Sequence, residues 1–228
     1  MQHKSLNRCP LHPITLTGIN KQIMEASQRK FVVQLSGAPG SGKSTLSNFL
    51  ACKVDAVVIN HDLIKSSLLE NGLSFSDAGK LTYALDGTLA RDMVLEQGRS
   101  VIVDSPCFHP DVLDRGRALV QSAGQDWEYW YVELACKMDD MHVLDARLKK
   151  RAHGSLMRCQ RLGIEEGPAD LDGGQDQRKL FEKWIQGPCR PQEGGEGVTG
   201  VVILDAMHTM EDVQMEILQM MGIPQHLD

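Results

Sequence analysis

No run in this 228-residue sequence approaches the roughly 20 consecutive apolar residues of a membrane-spanning helix. The first thirty residues carry Lys4, Arg8, Lys21 and Glu25 and no apolar stretch of signal-peptide length. A membrane partner is therefore not expected, and the expected location is the cytoplasm. Cysteine is present but unarranged: Cys9, Cys52, Cys107, Cys136, Cys159 and Cys189 are scattered, with no C-x-x-C. Cys9-x-x-His12 and Cys107-x-His109 each lack a second pair at zinc-site spacing, so the thiols read as reduced side chains rather than a disulfide framework or a metal cage. A basic surplus is also missing. Lys and Arg total 24 against 30 Asp and Glu, a net charge of -6. That balance counts against a long polynucleotide as partner, because phosphate tracking needs cations, and leaves only a local basic patch for such a role.

What is there is an ordinary soluble composition, 42% hydrophobic and 24% charged, in a length that suits one α/β domain with a small lid. Residues 1–16 read as an irregular leader and 17–29 as a short helix capped by Thr17. The main domain is expected over 30–228, its lid at about 147–168. Short apolar runs at 31–35, 56–60, 101–103, 127–134 and 201–204 have the length and flanking breakers of buried strands. Between them, helical patterns are expected at 43–52, 61–70, 77–97, 110–123 and 139–152, with a last helix at 209–221. In the 77–97 helix the apolar residues Leu81, Leu85, Leu89, Met93 and Val94 recur near helical spacing. Strands alternating with helices give βαβ units and a parallel sheet, whose ligands sit at the carboxyl ends of the strands. Residues 163–174 and 186–200, rich in Gly, Pro, Asp and Glu, read as loops. Trp127, Tyr129, Trp130 and Tyr131 read as strand packing rather than as a base-stacking platform.

The most specific signal is Gly37-Ala38-Pro39-Gly40-Ser41-Gly42-Lys43-Ser44-Thr45, which fits G-x-x-x-x-G-K-S between a strand and a helix. Glycines let successive N–H groups turn inward on phosphate oxygens, and the following helix offers its positive end. Lys43 is then expected at the β- and γ-phosphates and Ser44 on Mg²⁺. The run Val101-Ile102-Val103-Asp104 ends on an aspartate placed to share that Mg²⁺. Ser105 follows it, where hydrolytic motors place a water-activating glutamate, and this favours transfer to an acceptor. N-K-x-D, H-R-D and D-F-G are absent, which excludes a GTPase and a protein kinase. Leu171-Asp172-Gly173-Gly174-Gln175 imitates a transporter-ATPase signature but comes long after Asp104, and it reads as a turn followed by a helix.

Asp62 stands just past the second strand, at the edge that carries the phosphate loop. A carboxylate there can orient an attacking hydroxyl and accept its proton. Lys65, one helical turn on, shares that cleft. His61 is the rival base, ranked lower because its sequence position points it elsewhere. Residues 147–161 gather Arg147, Lys149, Lys150, Arg151, Arg158 and Arg161. Of these Arg151 and Arg158 are the expected lid cations.

Taken together, Gly37 to Thr45, Asn60-His61-Asp62, Val101 to Asp104 and Arg147 to Gln160 resemble the P-loop kinase superfamily. The nearest branch is that of polynucleotide 5′-kinases, zeta toxins and chloramphenicol phosphotransferase. The resemblance spans about residues 30–205 and implies a P-loop NTPase fold with a five-stranded parallel sheet flanked by helices, a lid, ATP and Mg²⁺, and an aspartate base at Asp62. Two positions depart from it. Lys65 stands where the polynucleotide kinases often place an arginine, and a lysine lacks the bidentate fork. Met157-Arg158-Cys159-Gln160 resembles the Arg-Ser-Gln of such lids with Cys159 for the serine. The expected activity is an ATP-dependent phosphotransfer to a hydroxyl of a small-molecule metabolite, with Tyr83, Asp86 and Arg91 as acceptor contacts on the 77–97 helix. The alternatives are a nucleic-acid or nucleotide 5′-hydroxyl kinase and a non-catalytic nucleotide-binding switch. No oligomeric state is read from the sequence.

Overall fold

The structure, a computed structural model, describes residues 29–152 and 177–224. The expected leader, most of the expected lid, Arg158 and the Leu171–Gln175 turn lie outside the described residues. Five strands are present: β1 (Lys30–Gly37), β2 (Ala56–Asn60), β3 (Ser100–Asp104), β4 (Trp127–Ala135) and β5 (Gly200–Asp205). Seven α-helices join and follow them: α1 (Lys43–Val54), α2 (His61–Glu70), α3 (Phe75–Arg91), α4 (Pro110–Ala123), α5 (Met141–Ala152), α6 (Gln177–Gln186) and α7 (Met210–Met220). All strand pairs are parallel and the order is β2-β3-β1-β4-β5. The chain is therefore α/β, as expected. Among the described residues no helix is long and apolar enough to cross a membrane.

Local chemistry explains where the helices begin. Ser74 accepts from the Asp77 N–H, Thr209 accepts from the Asp212 N–H, and Pro110 sits where a helix has no use for the missing N–H. Strand β1 is buried from Phe31 to Gly37 because both faces of the sheet are covered. On one face Phe31, Val33 and Leu35 pack with Leu46 and Leu50 of α1 and Ile217 of α7. On the other, Val32, Val101 and Val103 pack with Ala90, Leu119 and Tyr129.

The long helix departs from the expected orientation. Leu81, Leu85 and Leu89 are 46%, 39% and 37% exposed, whereas Ala78, Thr82, Asp86 and Ala90 form the buried stripe. Small residues let α3 lie close to its neighbours, and Asp86 has a buried partner, described below. The α-helix also stops at Arg91 and passes into a π-turn at Asp92–Glu96 rather than running to residue 97. Helix α6 comes directly after Leu171–Gln175, where a turn followed by a helix was expected, and residues 187–199 form the irregular connection to β5.

One ion pair ties the start of β1 to β4. Arg29 donates to both carboxylate oxygens of Glu128 at 2.6 and 2.7 Å, and Trp130 Nε1 donates to the same group at 2.8 Å. Burial pushes the Glu128 carboxyl up, but the hydrogen bonds from Arg29 and Trp130 outweigh it and hold the group below its ordinary value. A depressed carboxylate stabilises the fold above its ordinary pKa and loses that contribution as pH falls through its folded value. Glu128→Gln should therefore lower the melting temperature at neutral pH, and the gap to the parent chain should close on moving into the acid range. A pH series of thermal melts reads both.

Candidate active site at the strand ends

The phosphate loop follows β1 directly. Gly37 and Gly40 have φ of +130° and +82°, the region open to glycine. A Cβ on Gly37 would stand 2.5 Å from the Leu134 carbonyl oxygen, and one on Gly40 would stand 2.8 Å from that of Leu144. The loop is thus pressed against β4 and α5 and has room only for glycine at both points. The Thr45 and Leu46 N–H groups bond the Gly42 carbonyl and open α1, whose first turn carries Lys43 and Ser44. Lys43 Nζ donates to the carbonyls of Gly37 and Ala38 at 2.8 and 3.1 Å, which folds the ammonium against the loop. Ser41 is 2% exposed, and its hydroxyl has no hydrogen-bond partner among the described residues. A cavity of about 480 Å³ opens here, lined by Gly40, Gly42, Ser44, Thr45, Asn48 and Arg147.

Asp104 closes β3 in register with Asn60 of β2. It is 5% exposed, and the Ser47 hydroxyl bridges from it at 3.4 Å to the Ser44 carbonyl at 3.1 Å. Strand β2 ends at Asn60, whose side chain caps α2 by accepting from the Leu63 N–H at 3.0 Å. Since Asn60 is the cap, Asp62 in the first turn is not needed for that task.

Beside it lies a pair that periodicity does not reveal. His61 Nδ1 is 2.6 Å from Asp86 Oδ2, and both side chains are about 5% exposed or less. His61 thus points into the protein and pins the first turn of α2 to α3. The Tyr83 ring packs on His61 at 4.6 Å between centroids, and its hydroxyl donates to the Pro106 carbonyl at 2.7 Å. Burial raises the Tyr83 hydroxyl far above its ordinary value, with the Cys107 thiol and the Asp86 and Asp62 carboxylates adding to the shift. That group stays protonated. Lys65 Nζ sits 3.6 Å from the Phe75 ring centroid.

The sequence expectations therefore fall into groups. The loop residues Gly37 to Thr45 share one edge of the sheet with Asp104, and Asp62 and Lys65 start the helix that follows β2 at that edge. Tyr83, Asp86 and Arg91 line a different cavity, between α3 and α4. Asp86 is a buried partner of His61, and Arg91 is exposed. Of the lid cations, Arg151 is in the last turn of α5, and Arg158 lies outside the described residues. The basic residue that lines the loop cavity is Arg147, whose guanidinium donates to the Ala206 carbonyl at 2.9 Å. It was visible as one cation of a basic run, with no sequence signal to separate it from the rest.

Solved structures share this fold. The Chaetomium thermophilum Kti12 structure with ADP-AlF3 superposes with a TM-score of 0.56 at 14% identity, covering 84% of this chain and 97% of that one. A sugar kinase from Janibacter sp. gives 0.54 at 17% identity, covering 86% and 95%. A gluconokinase from Sinorhizobium meliloti gives 0.51 at 16% identity, covering 86% and 92%. At these identities the likeness is one of fold. No curated protein sequence matches the chain. The family model described as AAA domain matches residues 32–160, from β1 through the phosphate loop, Asp62 and Asp104 to the basic stretch. The chain has the fold of the P-loop kinase superfamily, and by that match it belongs to the AAA domain family.

Proposed function

We propose that this chain transfers the γ-phosphate of ATP to a hydroxyl of a small-molecule metabolite. The observation that carries the reading is Asp62, in the first turn after β2, at the strand-end edge shared by the phosphate loop and Asp104. The residues fit a polyphosphate and a hard cation. The glycine-lined loop presses on carbonyls of β4 and α5, and Ser41 offers a buried hydroxyl with no other partner among the described residues. Ser44 and Asp104 supply oxygen donors of the kind Mg²⁺ takes. Bound there, Mg²⁺ would neutralise charge on the phosphate oxygens.

In this reading Lys43 leaves the Gly37 and Ala38 carbonyls to reach the β- and γ-phosphates. Arg147, and Arg151 and Arg158 from the basic stretch, add positive charge on the far side. Asp62 holds the acceptor hydroxyl by its hydrogen bond and takes its proton as the new P–O bond forms and the bond from the γ-phosphorus to the bridging oxygen breaks, with ADP as leaving group. His61 and Asp86 keep the first turn of α2 in place, so Asp62 has little freedom to wander. Lys65, one helical turn on in α2, is the acceptor contact nearest to it. Two structures of this fold are named a sugar kinase and a gluconokinase, which is in keeping with a hydroxylated acceptor.

The test is ADP release with Mg-ATP against hydroxylated metabolites, nucleosides and 5′-hydroxyl oligonucleotides, with Lys43→Ala and Asp62→Asn alongside. Stimulation by metabolites, lost in both variants, is the expected result. Stimulation by oligonucleotides alone would make the chain a nucleic-acid 5′-hydroxyl kinase. ATP binding without stimulation by any class would leave a nucleotide-binding switch.

A further inference from the structure

A second cavity, larger than the one at the phosphate loop, lies elsewhere among the described residues. About 650 Å³ lies between α3, α4 and the sheet, lined on the floor by Gln34, Asp86 and Tyr129 and elsewhere largely by apolar side chains. Neither Lys43, Asp62 nor Asp104 lines it. Its size and its mostly apolar wall with a few polar groups are those of a small-molecule site.

Two buried polar atoms single it out. Asp86 is 4% exposed, and its Oδ2 is occupied by His61, but its Oδ1 has no hydrogen-bond partner among the described residues. Tyr129 is 0% exposed, and its hydroxyl likewise has none. A buried carboxylate oxygen left without a donor is costly, and an ammonium relieves that cost better than a neutral donor. Both residues line this one cavity. Two exposed arginines line it as well. Arg115 is held by a bond of 3.1 Å from Nη1 to the Tyr83 carbonyl, and Arg91 stands on α3. Nothing in the proposed phosphotransfer uses these groups in this way.

We infer that this cavity is a second ligand site, separate from the phosphoryl-transfer site, for a zwitterionic amine of the amino-acid class. The ammonium sits on Asp86 Oδ1 with the Tyr129 hydroxyl beside it. The apolar body lies against the walls, and the carboxylate faces Arg91 and Arg115. The inference does not depend on the kinase reading, since it concerns binding alone.

Three probes that share a branched apolar end test it on the full chain by isothermal titration, with NMR shifts as a second readout. Leucine carries both charges, isoamylamine only the ammonium, and isovalerate only the carboxylate. Leucine should bind at least tenfold more tightly than isovalerate, and isoamylamine should lie between them. Tyr129→Phe keeps the packed ring and should weaken leucine and isoamylamine several-fold. Asp86→Asn should abolish the preference for the ammonium, and Arg115→Gln should weaken leucine but not isoamylamine. Lys43→Ala should leave leucine binding intact, which separates this site from the phosphate loop. Binding of none of the probes, as for a cavity that holds only solvent, would overturn the inference. So would a leucine affinity no better than that of isovalerate, or one unmoved by both Asp86→Asn and Tyr129→Phe.

Discussion

Asp62→Asn should lower acceptor-stimulated ADP release by about 10²- to 10⁴-fold, the usual worth of a positioned general base, with Mg-ATP affinity unchanged. The split between the two readouts follows from the placement of the residues. Asparagine is nearly isosteric, and the cap of α2 belongs to Asn60, so the helix start survives the change. What is lost is one oxygen that can accept the acceptor's proton. The nucleotide contacts lie two strands away, on the loop after β1 and on α1. Lys43→Ala should behave differently, losing affinity and turnover together, because that ammonium binds phosphate in the ground state as well as in transfer. Binding of Mg-ATP by titration, beside single-turnover transfer, distinguishes the two. An Asp62→Asn enzyme with undiminished turnover would remove the carboxylate from the chemistry.

A second large effect is expected at Gly37. An alanine there must hold φ near +130°, and its Cβ would stand 2.5 Å from the Leu134 carbonyl oxygen of the central sheet. Neither the strand nor the loop can yield without breaking the register of β1 on β4, in which Gly37 pairs with Leu134. Backbone strain and overpacking add to about 3 kcal/mol, a loss in melting temperature of about 6–12 °C for a chain of this size, and nucleotide binding should go with it. Gly72 supplies the control. It too has positive φ, at +87°, but a Cβ there meets nothing within 4 Å. Gly72→Ala should cost only the backbone term, about 1–2 kcal/mol, with nucleotide binding intact. Equal losses at the two glycines would show that the close approach to β4 is unimportant.

Much of the fold was legible because the signals were local. The limits of β2, α2 and α4 coincide with those expected, each marked by an apolar run or a cap within a few residues. The phosphate loop was legible for the same reason, being one contiguous motif. The orientation of α3 was not. Periodicity finds a stripe, and the leucines offered the more apolar one, but Ala78, Thr82, Asp86 and Ala90 face inward. A polar residue turns inward when a partner waits there, and the partner of Asp86 is His61, which is remote in sequence. With that partner invisible in the sequence, Asp86 stood out only as a polar residue on the 77–97 helix, among the expected acceptor contacts. Arg147 was hidden in the opposite way, as one cation among several whose surroundings depend on where α5 packs.

The position of β1 at the centre of the sheet has a consequence for how the molecule is made. Its partners are β3 and β4, so Val32 waits for Val101 and Lys30 for Trp127. Among the described residues no hairpin offers an early, local pairing, and such non-local topologies fold slowly. As the chain emerges from the ribosome, the phosphate loop comes out well before the elements that support it, since β4 and α5 press on it from far downstream. For that interval the most specific motif in the sequence has no shape of its own, and nucleotide can act on the finished molecule but not as a template for its assembly.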